Sequence, residues 1–404
     1  MSRFVARVVS GLRRRARKLK RKLFGFERLE NVTRRPLVGG RPRALLVYMV
    51  DPFILPRGDI SFLRHQNFRQ SHNIVGVLDR LGYSVDVVDC LDDLGNLRGE
   101  YDLVISHRIR MEECRKILAG AKLRIYLGTG MNHRVANANL LKRFRRVSDQ
   151  KGILDPSPFL VDENFDCLHN IHAAFVFGNQ YVQETWRRDL ACPVYGFNNY
   201  GFSCLQGVRR DFVAARTNFL FFAGYRQIGK GLDLLLEVFR DQKKLHLFVC
   251  GSYKREKEFF RLYRKELVET ANIHPMGFVY VDTPRFAMLA RQCAFVIHPT
   301  CADASVGSVV QCLSTGMIPV VTREAGIDVA EIGYVLQDDS LGTLRDAILS
   351  VSSLPPAVLE RQSLRVVETA KREYTEEAFV HRWKEMLVDV HRRNNVPIPR
   401  EDGV

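Results

Sequence analysis

Two short stretches concentrate the residue types that can hold an anion and a polar organic ligand. The first is Phe222-Ala-Gly-Tyr-Arg-Gln-Ile-Gly-Lys-Gly-Leu232, in which a strand runs into a glycine-rich turn carrying Arg226 and Lys230. A helix over Leu232–Phe239 follows. Gly224, Gly229 and Gly231 let the backbone approach a ligand closely. Arg226 offers a guanidinium fork and Lys230 a point charge, and both neutralise phosphate oxygens. Cations at such a place stabilise the charge that builds on a departing diphosphate. The competing reading is a surface turn with two solvated cations. The turn is not a P-loop, because no Ser or Thr follows Lys230 and the glycine spacing differs.

The second stretch is His298-Pro-Thr-Cys-Ala-Asp-Ala-Ser-Val-Gly-Ser-Val-Val-Gln-Cys-Leu-Ser-Thr-Gly-Met-Ile-Pro-Val-Val321. A strand ends at His298-Pro299, a loop of small residues carries Asp303, and a helix opens near Ser305–Ser308 with Gln311 inside it. The N–H groups at a helix start suit an anion. In the first half of the chain, His107 and Arg108 follow one strand. Gly128, Thr129, Gly130 and His133 follow another, and Asn179 follows a third. Strand ends are where open α/β sheets bind ligands, although a lone His is more often structural than catalytic. No Ser-His-Asp arrangement, H-E-x-x-H or Asp-x-Asp pattern is apparent, so metal-independent chemistry with no cofactor is the expectation.

These residues need strands and helices to position them. Ala44–Met49, Ser84–Val88, Tyr101–Ser106, Leu123–Leu127 and Ala173–Phe177 are apolar, strand-like runs ended by polar or turn residues. Helical spacing intervenes at Ile74–Leu81 and Ala136–Phe144, and up to Trp186. Asn198–Arg210 has the character of a linker. The alternation then restarts with strands at Phe219–Phe222, His246–Val249, Phe295–His298 and Ile318–Val321. Helices are expected at Glu256–Glu269, Ser308–Thr315 and Thr375–Arg393. Alternating strands and helices imply parallel, doubly wound sheets, and two of them facing each other enclose a cleft.

The two chemical stretches resemble the donor-binding domain of glycosyltransferase family 4, retaining enzymes with the GT-B fold. Lys230-Gly231 matches the family Lys that grips the donor diphosphate, while Arg226 stands one residue later than the usual Arg. The family signature is Glu, seven residues, Glu, then a G-x-P-V-V strand. Aligned on Gly316–Val321, the first Glu falls on Asp303 and the second on Gln311. The resemblance implies that Asp303 lies near the sugar and that Gln311 hydrogen-bonds ribose without charge. Thr300, Ser305, Gly307, Ser308 and Val309 are then expected at the sugar and phosphate. Asn272–Val279 matches the segment whose backbone meets the base, which brings in Phe278 and Val279, with Gly251 in the same donor set. Asp303, Lys230 and Arg226 carry the catalytic expectation. His107, Gly130, His133 and Asn179 carry the acceptor side. The resemblance covers most of residues 41–395, strongly in the second half. Val50–Phe53 and Gln70–Val88 resemble a bacterial branch in which the second Glu position is not always Glu.

The resemblance implies two Rossmann-like domains, 41–205 for the acceptor and 206–370 for a nucleotide-sugar donor. A basic amphipathic tail (1–40) precedes them, and a C-terminal helix and tail (371–404) follows. The implied reaction is transfer of a sugar from a nucleoside-diphosphate donor to a glycan or lipid-linked acceptor. Two other classes share the features: a non-catalytic glycan or nucleotide binder, which the altered Glu positions favour, and a nucleotide-sugar epimerase.

The bulk properties are consistent with this and add the tail. The 404 residues exceed one ordinary core. No apolar run approaches the ~18–20 residues of a membrane-spanning helix. Residues 1–35 hold thirteen Lys and Arg against Glu27 and Glu30, a net of +11, which leaves +5 of the chain's +16 for the remainder. That remainder lacks the charge for a nucleic-acid surface. Phe4, Val8, Leu12, Ala16, Leu19, Leu23 and Phe26 share one helical face among the cations. Such a helix suits an anionic membrane surface. A solvated tail, a nucleic-acid arm and a transit peptide remain open alternatives. The nine cysteines form no C-x-x-C pair and are read as reduced thiols in a cytoplasmic chain, peripheral on the inner membrane face.

Overall fold

The computed structural model describes residues 28–33, 42–56, 58–63, 66–92, 94–95, 97–107, 119–163, 166–202 and 205–399. Most of the basic segment 1–35, with its apolar stripe, lies outside the described residues, as does Arg108. Among the described residues, no helix is long and apolar enough to cross a membrane.

The first sheet contains β1 (Arg28–Leu29), β2 (Arg43–Tyr48), β3 (Ser84–Asp89), β4 (Leu103–Ser106), β5 (Leu123–Gly128), β6 (Ala173–Phe177) and β7 (Val194–Phe197). Their order is β1-β3-β2-β4-β5-β6-β7, parallel except for β1, which runs antiparallel to β3. Near-continuous apolar strands are what a sheet covered on both faces requires. In β2, Ala44, Leu46 and Tyr48 enter one core cluster, while Leu45 and Val47 enter another on the opposite face.

The second sheet contains β8 (Asn218–Phe222), β9 (His246–Cys250), β10 (Ile273–Gly277), β11 (Phe295–His298), β12 (Ile318–Thr322) and β13 (Tyr334–Leu336). Its order is β10-β9-β8-β11-β12-β13, parallel throughout. β10 is an edge strand, which explains how it tolerates Pro275; its register shifts between Pro275 and Gly277. Cys250, Cys293, Cys301 and Cys312 are buried free thiols.

Among the helices are α1 (Asn67–Arg80), α2 (His133–Lys151), α3 (Gln180–Arg187), α4 (Leu232–Asp241), α5 (Gly307–Leu313) and α6 (Glu376–Arg393). Two of them tie the sheets together. α2 starts beneath the first sheet, capped by Asn132, whose side chain accepts from the Arg134 N–H. Its later turns bury Leu140, Phe144 and Val147 in the core of the second sheet. There Arg143, almost fully buried, donates to Asp339 Oδ2 at 2.8 Å, and Arg146 to Asp233 Oδ2 at 2.6 Å. Losing one partner of such a buried pair is costly, because the remaining charge is left without compensation. α6, capped by Thr375, returns to the first sheet and buries Phe379, Trp383, Met386, Leu387 and Val390 there.

The single helix expected over Glu256–Glu269 is two six-residue helices, Lys257–Leu262 and Arg264–Glu269, broken at Tyr263. The Tyr263 ring is fully buried, stacks on Phe259, and its hydroxyl donates to Glu237 Oε1 at 3.2 Å. Seating that ring turns the backbone out of helical geometry, to φ −110° and ψ 19°.

Candidate functional site

In each sheet the strand order reverses direction at one place: between β2 and β4 in the first, and between β8 and β11 in the second. Loops diverge there and leave a crevice at the carboxyl ends. The glycine-rich turn follows β8 and the Asp303 loop follows β11, so both leave the sheet at its switch point. His107 follows β4, at the switch point of the opposing sheet.

The β8 turn is held from below. Glu256, largely buried, accepts the Arg226 N–H at 2.7 Å and the Gln227 N–H at 3.1 Å, and the Gln227 amide donates to the Gly224 carbonyl at 3.1 Å. Burial raises the Glu256 carboxyl above its ordinary range, and the two amides oppose that rise. Arg226 has φ of 71°. Four non-glycine residues among those described have positive φ; Asn31 and Asn395 tolerate it readily, whereas Arg226 and Ser305 are unfavourable there, and both sit at this crevice. Gly231, at φ 83°, starts α4, and a Cβ on it would lie 2.3 Å from the Pro299 carbonyl oxygen. Only glycine lets the β8 turn lie against the β11 loop this closely.

That packing brings Lys230 to Asp303, where Lys230 Nζ donates to Asp303 Oδ2. Thr300 Oγ1 donates to the Gly229 carbonyl at 3.0 Å and lies 3.5 Å from Asp303 Oδ2. Beneath the carboxylate, fully buried His298 places Nε2 3.9 Å from Oδ2.

Two cavities meet at this cluster. One, of about 590 Å³, runs along the second sheet past Gly224, Tyr225, Ser252, Phe278, Val279 and Ser308. The other, of about 580 Å³, runs along the first sheet past His107, Gly130, His133, Asn137 and Phe159. Thr129, Arg226, Lys230 and Asp303 line both. Tyr225 and Phe159 face each other across the gap with ring centroids 5.7 Å apart.

On the first wall, His107 Nδ1 is 2.9 Å from the Leu127 carbonyl oxygen, and His133 Nδ1 is 2.5 Å from that of Asp162. Burial lowers the pKa of both rings. The Gly130 carbonyl accepts the Trp186 indole N–H at 2.9 Å.

Four expected site residues do not line either cavity. Thr300 and Val309 are fully buried, the first bonded to Gly229 and the second in the core. Gly251 packs against the Gln227 amide, and its neighbour Ser252 reaches the cavity instead. Asn179 caps α3 and lines a separate groove with Gln183 and Phe379. Ser305, Gly307 and Gln311 do line the larger cavity, but each is engaged with residues from before β8. Ser305 Oγ accepts the Asn199 N–H at 2.8 Å, the Gly307 carbonyl accepts from Gln66 at 3.1 Å, and Gln311 Oε1 accepts the Phe202 N–H at 2.8 Å. Gln311 Nε2 is left buried without a hydrogen-bond partner. Sequence reasoning missed Glu256 and gave His298 no role beyond ending a strand. Among the described residues, no cluster of three or more His, Cys, Asp or Glu side chains is placed to hold a metal ion.

No protein-family model matches the chain, and no curated protein sequence matches it. Solved structures do. HepE of Anabaena, in complex with UDP-glucose, aligns at a TM-score of 0.55 and 13% identity, over 87% of this chain and 100% of that one. Sucrose-phosphate synthase from Thermosynechococcus elongatus aligns at 0.57 and 12%, over 88% and 100%. TarM of S. aureus aligns at 0.48 and 12%, over 70% of this chain and 54% of that one, so the chain spans about half of that protein's length. At these identities the likeness is one of fold. The chain has the GT-B fold of glycosyltransferases, two Rossmann-like sheets facing across a cleft.

Proposed function

We propose that the chain is a glycosyltransferase, taking a sugar from a nucleoside-diphosphate donor bound along the second sheet and passing it to an acceptor held against the first. The observation that carries this reading is the shared rim. Arg226, Lys230 and Asp303 stand where a cavity from each sheet opens into the other. A diphosphate between Arg226 and Lys230 would sit at the junction, and the sugar it carries would face His107 and His133. The cations would stabilise the leaving diphosphate, and the fixed turn would position it. The UDP and UDP-glucose in the HepE complexes support a nucleotide-sugar as the donor.

In this reading transfer is metal-independent and retains the anomeric configuration, and the acceptor is a glycan or a lipid-linked sugar. The Lys- and Arg-rich segment 1–35 would hold the protein on an anionic membrane surface, on the cytoplasmic side.

The test is incubation with a panel of nucleotide-sugars, with EDTA present and with glycan and lipid-linked acceptors. Free nucleoside diphosphate and the product anomer are measured. Acceptor-dependent diphosphate release with retained configuration is expected. An isomerised donor without release would identify an epimerase, and binding without turnover a glycan or nucleotide binder. The binder reading has one favouring observation, Gln311 Oε1 being occupied by the Phe202 N–H.

A further inference from the structure

Among the described residues, His298, fully buried beneath Asp303, is the one buried histidine with both ring nitrogens lacking a hydrogen-bond partner. Leaving buried polar atoms unpaired destabilises a fold, so such a residue asks for an explanation. Its ring stacks on Phe221, with centroids 5.4 Å apart and planes 9° from parallel, which fixes its orientation. Nε2 is 3.9 Å from Asp303 Oδ2, about 0.7 Å beyond hydrogen-bond range.

The other donors around Asp303 are committed. Oδ1 accepts the Ala304 N–H at 3.2 Å. Thr300 has a single hydroxyl proton, and the Gly229 carbonyl at 3.0 Å holds it better than Oδ2 at 3.5 Å. Oδ2 therefore depends on Lys230. Lys230 is also the cation assigned to the diphosphate, so a ligand must compete with Asp303 for it.

We propose that His298 is a positioning residue that takes over the Asp303 carboxylate when a diphosphate draws Lys230 away. The proposal rests on the diphosphate reading of Lys230. Burial, reinforced by Lys230, keeps the ring's pKa well below its usual value, so it is neutral and carries one N–H. A carboxylate approaching Nε2 selects the tautomer with the proton there. The Lys230–Asp303 pair, closed in this structure, is then a latch. His298 lowers the cost of opening it and keeps Asp303 in place facing the sugar.

The experiment is calorimetric titration of the full chain with UDP, GDP, ADP and dTDP, each alone. Wild type is compared with Lys230→Ala, His298→Phe, His298→Gln, Asp303→Asn and the double variant His298→Phe/Asp303→Asn. His298→Phe keeps a stacking ring but removes the donor, and should weaken binding about tenfold. His298→Gln, which restores a donor near the Nε2 position, should recover most of that loss. Asp303→Asn should bind several-fold more tightly than wild type, because the competitor for Lys230 is gone. Adding His298→Phe to Asp303→Asn should then change affinity less than about twofold, since coupled residues are not additive. Wild-type affinity in His298→Phe, or an equal loss with and without Asp303, would overturn the proposal. If His298→Phe does not fold, His298→Met takes its place, and Asp303→Asn binding no tighter than wild type also overturns the latch. A wild type that binds none of the four, or Lys230→Ala binding as well as wild type, refutes the diphosphate reading itself, and the proposal falls with it.

Discussion

Across the cleft, the second-sheet wall holds its functional groups through backbone geometry, whereas the first-sheet wall holds them through side-chain contacts. Arg226 and Lys230 lie on a turn fixed by Glu256, a left-handed Arg226 and a Gly231 wedged against Pro299. His107 and His133 are oriented by side-chain contacts, their ring nitrogens at the Leu127 and Asp162 carbonyls and their rings edge-on to Tyr48 and Trp186. A Cβ on Gly130 would meet nothing within 4 Å, where one on Gly231 would collide. In the proposed reading the diphosphate, a constant part of every donor, meets the rigid wall, and the acceptor, which varies, meets the wall built from replaceable side chains.

The comparison breaks most readily at Lys230. Lys230→Ala is expected to lower nucleoside-diphosphate affinity about 10–100-fold, the value of one charge-assisted hydrogen bond, with the melting temperature little changed. Calorimetry and a thermal melt check both halves of that statement. The backbone contrast is sharpened by two alanines. Gly231→Ala should destabilise by about 2–3 kcal/mol, through forbidden φ and overpacking, while Gly130→Ala should stay within about 0.5 kcal/mol; urea unfolding distinguishes them. Asp303→Asn should lower kcat about tenfold and Gln311→Ala about threefold, because Asp303 faces both cavities while the Gln311 oxygen is committed to the linker. Steady-state rates decide, and equal near-wild-type rates would favour a binding protein.

The smallest effect is on pH. His107, His133 and His298 all have pKa values pushed below the usual 6.5 by burial. Above about pH 6.5 they are neutral in both folded and unfolded chains and cost nothing. As pH falls below 6.5 the unfolded chain takes up protons first, so stability declines by up to about 1.4 kcal/mol per pH unit for each ring. His298→Phe should make the acid limb of a melting-temperature profile shallower.

Much of the second wall was legible in the sequence because its signals are local. Gly229-Lys230-Gly231 after a strand names a turn, a cation and a close approach in three residues. What could not be read depends on distant segments. Asp303 meets Lys230, 73 residues before it, only because β11 lies beside β8. Glu256 reaches Arg226 across 30 residues, and Phe202 captures Gln311 across 109. The apolar stripe of α2 is plain in the sequence, yet nothing in it says that Leu140, Phe144 and Val147 serve the second core. Thr300 and Val309 were expected at the ligand from their place in a motif; their side chains turn inward because the helix and loop have two faces.

Crystals of the chain with a bound nucleoside diphosphate test the central claim most directly, because they show where the phosphates lie. The account predicts the β-phosphate within hydrogen-bond distance of Lys230 Nζ and beside Arg226, the base against the Phe278–Val279 backbone, and Lys230 parted from Asp303. A diphosphate bound elsewhere, with the Lys230–Asp303 pair intact, would contradict it.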